Sequence, residues 1–234
     1  TKHEYTDEHT HSHTLTHTLT HSHTLTHTPR TDTACILQGL DAMHSRNIVY
    51  RDLKPENVML DEGGYCKIVD FGLAKKTRRT YTVCGTPEYM APEVVLSRGH
   101  DAGVDHWALG CMMYEMIAGY TPFVGGDQME IYEHIIAHEK RDDLVFEARG
   151  FTYNGRARSL LKRLLHPKKT KRLGTLVDGA DGIRNHPFFA ESRRLHKFDW
   201  AALDQMQIDP PFTPAPADFN ALTTFDELDL EDEV

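Results

Sequence analysis

The sequence predicts a mainly α-helical body with short β-hairpins, and three observations carry that prediction. Apolar residues recur at helical spacing in separate segments between residues 34 and 166. Two short apolar runs, residues 58–60 and 66–69, are joined by Asp-Glu-Gly-Gly, the pattern of two strands and a turn. The two ends of the chain have compositions that do not build a packed core: a His/Thr repeat in front and a proline-bearing, acidic stretch behind.

Taken in order, residues 11–20 read HSHTLTHTLT and residues 21–28 read HSHTLTHT, a period of ten. From Thr10 to Thr28, His or Leu alternates strictly with Thr or Ser. Period two is a strand pattern, and its row of imidazoles would suit zinc, copper or nickel. Low complexity favours disorder, so residues 1–33 are expected to lie outside the fold. Ile36, Leu40 and Met43 stand at i, i+4 and i+7, one face of a helix running from about Ala34 to about Ser45. The predicted hairpin at 58–69 follows. Then come a long apolar helix at 104–118 and helices near 128–138 and 156–166. Beyond Phe189 the chain is expected to be extended, because PPFTPAP at 210–216 resists helix.

Composition narrows the function. The 234 residues are 39% hydrophobic and 26% charged, close to a globular average, with a formal charge of −9. Residues 1–33 carry −2 and residues 218–234 carry −7, so the body between them is balanced. That distribution argues against a nucleic-acid binder, which would show a basic surplus. No run of about 18 apolar residues exists, so no membrane span is expected. No apolar stretch follows the start, so no secretory signal is expected. Cys35, Cys66, Cys84 and Cys111 form no CxxC pair and read as reduced thiols of a cytoplasmic protein. The missing initiator Met leads us to expect a fragment.

The chemistry is concentrated in a few short runs. YRDLKPEN places Asp52 five residues before Asn57, and Asp70 opens DFG thirteen residues after Asn57. CGTPEY at 84–89, APE at 91–93 and KRLG at 171–174 follow in order. On these runs the chain resembles the protein kinases, and its Tyr-Arg-Asp with CGTPEY resembles the AGC branch, nearest the cAMP- and cGMP-dependent enzymes. The resemblance covers residues from about 34 onward and implies a helical kinase C-terminal lobe, with short hairpins at the active site. Residues 34–189 would be the catalytic domain's C-lobe part, and 190–234 the branch's C-terminal tail. Phe225 would be a tail aromatic packing near the nucleotide.

What the resemblance implies is a serine/threonine kinase using ATP and Mg2+. Asp52 would be the base that accepts the substrate hydroxyl's proton, and Lys54 would stand against the γ-phosphate. Thr86 would tie Asp52 and Lys54 together. Asn57 and Asp70 would hold magnesium, a hard cation that prefers oxygen ligands. Met59 would floor the adenine, with Glu56 at the edge of the nucleotide site. Thr82 would be the activating phosphosite, its phosphate received by Arg51 and the basic residues Lys75, Lys76, Arg78 and Arg79, a run expected to be mobile until modified. Glu56, Glu88 and Glu115 would meet arginines upstream of the phosphoacceptor, so protein substrates with basic residues near Ser or Thr are implied. A cyclic-nucleotide-binding regulatory domain or subunit is an implied partner. Glu93 and Arg172 would form a buried ion pair, Asp105 would accept backbone N–H groups of the catalytic loop, and Tyr50 and Phe71 would stack. His134 and His138 have metal spacing but lack the HExxH glutamate, so they read as surface histidines.

The sequence holds no G-x-G-x-x-G run and no VAIK-like tetrapeptide. The N-terminal lobe that carries those groups in the family is therefore expected to be absent, and the chain to be inactive by itself. Two readings stay open beside a kinase: a truncated, non-catalytic binding fragment, and a His-rich metal binder.

Overall fold

A computed structural model describes residues 29–141, 155–190 and 198–209. The His/Thr repeat and the tail from 210 onward, Phe225 included, lie outside the described residues. Helix α1, Arg30–His44, begins four residues before its expected start and buries Ile36, Leu37 and Leu40. Strand β1 (Ile48–Val49) precedes the catalytic-loop run, and β2 (Val58–Leu60) and β3 (Cys66–Ile68) form the expected hairpin. Its antiparallel register pairs Val58 with Ile68 and Leu60 with Cys66. A second pairing, unforeseen from sequence, joins β1 to β4 (Lys75–Lys76), with Ile48 opposite Lys76.

Helix α2 (Pro92–Val95) starts on the proline of APE, where a missing N–H costs nothing. Helix α3, Gly103–Ala118, is buried nearly all round and is the axis of the core. It ends at Gly119, whose φ of +80° is the left-handed cap that glycine adopts without strain. Helix α4 (Gln128–Arg141) buries Ile131, Ile135 and His138, and α5 (Gly155–Leu164) buries Ala157, Leu160, Leu161 and Leu164, both at helical spacing. Helix α6 (Gly179–Arg184) packs near α1 through Arg184, which donates to Asp41 at 2.7 Å.

Two expectations need correcting. The segment past Phe189 is not uniformly extended: α7 (Trp200–Asp204) is capped by the Asp199 side chain, which accepts the Ala202 N–H at 2.9 Å. His138 is not a surface residue. It is buried against Trp107 and Phe123, and its Nε2 lies 3.0 Å from the Leu165 carbonyl oxygen. His134 is exposed, as expected, with Nδ1 2.6 Å from the Val124 carbonyl oxygen. No helix among the described residues is long and apolar enough to cross a membrane.

A buried ion pair ties α2 to the segment that follows α5. Arg172 is fully buried and donates to both oxygens of Glu93 at 2.6 and 2.8 Å. Its guanidinium also donates to the Gly103 carbonyl at 2.9 Å and lies 5.0 Å from the Trp107 ring centroid. Charges taken out of water need this many partners.

Candidate functional site

Everything in the site hangs on the segment between β1 and β2. Arg51 has a φ of +73°, a conformation L-residues avoid. Asp105, from the first turn of α3, holds it: its Oδ2 accepts the Tyr50 N–H at 2.9 Å and its Oδ1 accepts the Arg51 N–H at 2.8 Å. His44 at the end of α1 completes that carboxylate's shell, Nε2 to Oδ2 at 2.7 Å, a contact no sequence spacing signalled.

Asp52 is the centre. Thr86 Oγ1 donates to its Oδ1 at 3.0 Å, and Lys54 Nζ donates to Thr86 Oγ1 at 3.1 Å. Lys54 Nζ also lies 3.5 Å from Asp52 Oδ2. The three residues therefore form one hydrogen-bonded group. Asn57 closes the other side, its Nδ2 donating to the Asp52 carbonyl at 2.9 Å and to Asp52 Oδ2 at 3.0 Å. Its amide thus offers an oxygen, not a nitrogen, to anything else.

Asn57 is also joined to the strand that leads to Asp70, because its carbonyl accepts the Val69 N–H at 2.9 Å. Asp70 has a φ of +54° and an exposed side chain, and its Oδ1 accepts the Gly72 N–H at 2.9 Å. An amide oxygen and a carboxylate are a hard-oxygen set, fit for magnesium shared with phosphate groups. Among the described residues no group of three or more His, Cys, Asp or Glu could hold a metal ion. Tyr50 sits beneath, donating to the Val69 carbonyl at 2.5 Å. Burial, then the charges of Asp52 and Asp70, push its phenol pKa well up, so it stays a donor. Phe71 meets Tyr50 edge-on at 5.9 Å rather than stacked, the arrangement aromatic quadrupoles favour.

Met59 points out of β2 and is 45% exposed, and Phe71 is 56% exposed. Neither is ordinary core, so apolar surface faces outward beside the oxygen pair.

Gly85 explains why Thr86 can reach Asp52. Its φ is +106°, and a Cβ there would stand 2.7 Å from the Arg51 carbonyl oxygen. Only glycine lets the CGTPEY segment press this closely on the catalytic loop. Sequence reasoning used the Gly as a family letter and missed its physical task; a glycine beside a site threonine was the available signal.

The segment from Asp70 to Thr86 is tied at more places than its charge led us to expect. Lys75 and Lys76 are paired to β1, and Thr77 N–H donates to Asn47 O at 2.7 Å. Thr80 is buried and bridges His100 through two backbone bonds of 2.8 Å. Backbone pairing at Lys75 and Lys76 opposes the like-charge repulsion within the basic run. Thr82 is exposed, its Oγ1 3.4 Å from Thr80 Oγ1. Arg51 donates Nε to the Leu73 carbonyl at 2.7 Å, while its Nη1 is buried with no partner among the described residues.

Glu115 lies on α3 and accepts a hydrogen bond from the Tyr89 phenol. Burial raises its pKa, the Tyr89 bond opposes that, and repulsion from Glu56 and Glu88 adds to the rise. The three glutamates thus share one field, where an incoming cation would relieve all of them.

A family model described as the protein kinase domain matches residues 3–189. The chain is 44% identical over 203 residues to isozyme 2 of the cGMP-dependent protein kinase of Drosophila melanogaster, 86% of this chain and 21% of that protein. It is 42% identical over 208 residues to the cAMP-dependent protein kinase catalytic subunit of Dictyostelium discoideum, 88% of this chain and 30% of that one. With the human catalytic subunit PRKX it shares 40% identity over 203 residues, 85% of this chain and 53% of the other. The chain thus spans from a fifth to about half of the length of these relatives.

Proposed function

The chain belongs to the protein kinase family, with the features of its AGC branch, and from that premise we propose that it supplies the substrate-side half of a serine/threonine kinase active site. The observation that carries this reading is the group formed by Asp52, Lys54, Thr86 and Asn57. Asp52 stands as the proton acceptor for a substrate hydroxyl, and Thr86 and Asn57 hold its carboxylate in one orientation. Lys54 places a positive charge beside it, where the transferred phosphoryl group needs neutralisation. Asn57 and Asp70 would hold magnesium, and bound magnesium would supply charge neutralisation on the nucleotide phosphates. The exposed Met59 gives an apolar floor for the adenine of ATP, with Glu56 nearby.

Substrates are proteins with basic residues near Ser or Thr. The mutual repulsion of Glu56, Glu88 and Glu115 supports this, because an arginine docking among them removes a standing electrostatic cost. Thr82 is the activating phosphosite and Arg51 its receiver: Thr82 is exposed, Thr80 is buried in a bridge, and the Arg51 Nη1 lacks a partner among the described residues. Residues 34–189 form the C-lobe part of the catalytic domain, with 190–234 as its tail. A regulatory cyclic-nucleotide-binding domain or subunit is the proposed partner, in keeping with relatives named as cGMP- and cAMP-dependent kinases.

The sequence contains no G-x-G-x-x-G run, so transfer is proposed to need a phosphate-covering lobe. The test joins residues 29–234 to the N-terminal lobe of one relative and measures phosphate transfer from ATP to a peptide carrying arginines before its serine. Turnover that exceeds tenfold that on an arginine-free peptide supports the reading. Equal turnover on both removes the basic-substrate part, and no turnover with the lobe supplied favours the non-catalytic fragment.

A further inference from the structure

Two cysteines that the kinase reading does not use face each other across the seam between α1 and β3. The seam is unusually close. A Cβ on Gly39 would stand 3.1 Å from Ile68 Cδ1, so helix and strand approach with only a hydrogen between them there. Cys35 lies four residues before Gly39 on the helix, a rise of about 6 Å. Cys66 lies two residues before Ile68 on the same face of the strand, a step of about 6.6 Å. The two steps match, so the contact at Gly39 and Ile68 repeats one turn back at Cys35 and Cys66. There the two thiols are neighbours, each the strongest influence on the other's titration, and both line one cavity. One further turn back, the buried Asp32 has its Oδ1 3.7 Å from Cys66 Sγ. All four cysteines are free thiols in this structure.

Access distinguishes this pair from the others. Cys35 is half-buried and lines, with Cys66, Met43, Tyr65 and Leu203, a cavity of about 340 Å³ open at its mouth. Cys111 is fully buried on α3, and Cys84 lines a hollow with Arg51 and Asp52 in which no second cysteine takes part.

We propose that Cys35 and Cys66 are a peroxide-reactive pair that closes into an intramolecular disulfide joining α1 to β3. Cys35 is the attacking sulfur. The adjoining Cys66 thiol lowers its pKa, while the same contact and burial raise that of Cys66. The Cys35 thiolate attacks one oxygen of hydrogen peroxide; the O–O bond breaks, leaving a sulfenic acid and hydroxide, which takes up a proton as water. Cys66 sulfur then attacks Cys35 sulfur, the S–O bond breaks, and the departing hydroxide leaves as water with the Cys66 proton. Two thiols and one peroxide become one disulfide and two waters. The bond would bolt α1 to the strand that runs into Asp70. It rests on no part of the kinase reading and can be tested without turnover.

The test uses the full chain, reduced, freed of thiol reagent and treated with stoichiometric hydrogen peroxide before alkylation and non-reducing tryptic mapping. The expected product is a linked pair of peptides, residues 31–46 and 52–67, with Cys84 and Cys111 still alkylated and the cross-link lost on adding dithiothreitol. Cys66→Ser should leave Cys35 trappable by dimedone as a sulfenic acid, and Cys35→Ser should leave no cross-link. The wild-type map decides alone if a variant fails to fold. Retention of four alkylatable thiols, first reaction at Cys84, or equal formation of the same pair in guanidinium-unfolded chain would each overturn the proposal.

Discussion

Lowering the pH from 7.0 to 5.5 should destabilise this fold through one histidine in the core. His106 on α3 is 3% exposed, and neither ring nitrogen has a partner among the described residues. Burial foremost, then the neighbouring His44 and Arg172, pushes its pKa down from 6.5 to about 3, with Asp105 and Asp41 opposing. His44 meets it edge-on at 5.1 Å. A group whose folded pKa is depressed leaves the unfolded chain to bind the proton first. Stability is therefore full above pH 6.5 and falls as pH drops from 6.5 toward 3. For this one residue the loss is about 1.4 kcal/mol at pH 5.5 and about 2.7 kcal/mol at pH 4.5. His186, lowered to about 4 by burial and Arg163, steepens the same slope. The window above pH 5 is chosen because Asp61 and Asp101, whose pKa values are lowered, are still ionised there. Urea unfolding followed by tryptophan fluorescence at the two pH values reads the difference. His106→Leu should lose about 1.3 kcal/mol less than wild type between them. At pH 7 it should be as stable or more so, since it removes buried groups without partners. A Leu variant with wild-type pH dependence would refute the reasoning.

Other perturbations report on other parts of the structure. Arg172→Met leaves the Glu93 carboxylate buried without its two donors and should cost about 3–5 kcal/mol in urea unfolding. Gly85→Ala places a Cβ 2.7 Å from the Arg51 carbonyl at a φ of +106°; about 1–3 kcal/mol of stability should go, and kcat in the lobe-restored enzyme should fall as Thr86 is displaced. In that same enzyme Arg51→Ala should match Thr82→Ala in kcat/KM, and the double variant should be no worse than either, because donor and phosphate act as one unit. Additive losses would put the switch elsewhere.

The helices were legible where apolar spacing was clean: Ile36 and Leu40 on α1, and Leu160, Leu161 and Leu164 on α5. The β2–β3 hairpin was legible because its turn residues lie between its own strands. β1 and β4 were not, since each has two residues, Lys75 and Lys76 carry no alternation, and the partner lies far along the chain. His138 read as surface because helical position alone does not say that α4 turns that face onto Trp107. In the site, ordered runs named Asp52, Asn57, Asp70 and Thr86. They did not foretell that His44 supports Asp105, that Gly85 sets the Thr86 contact, or that Cys35 meets Cys66. Those are long-range contacts, and spacing along the chain carries no record of them.

The central claim is that Asp52, held by Thr86 and Asn57, is the proton acceptor for phosphoryl transfer. Steady-state kinetics of Asp52→Asn in residues 29–234 joined to a relative's N-terminal lobe tests it most directly. The substitution keeps the size and removes the carboxylate, so kcat should fall about 10²–10⁴-fold while KM for the peptide changes little. A variant that keeps most of its kcat would contradict the account.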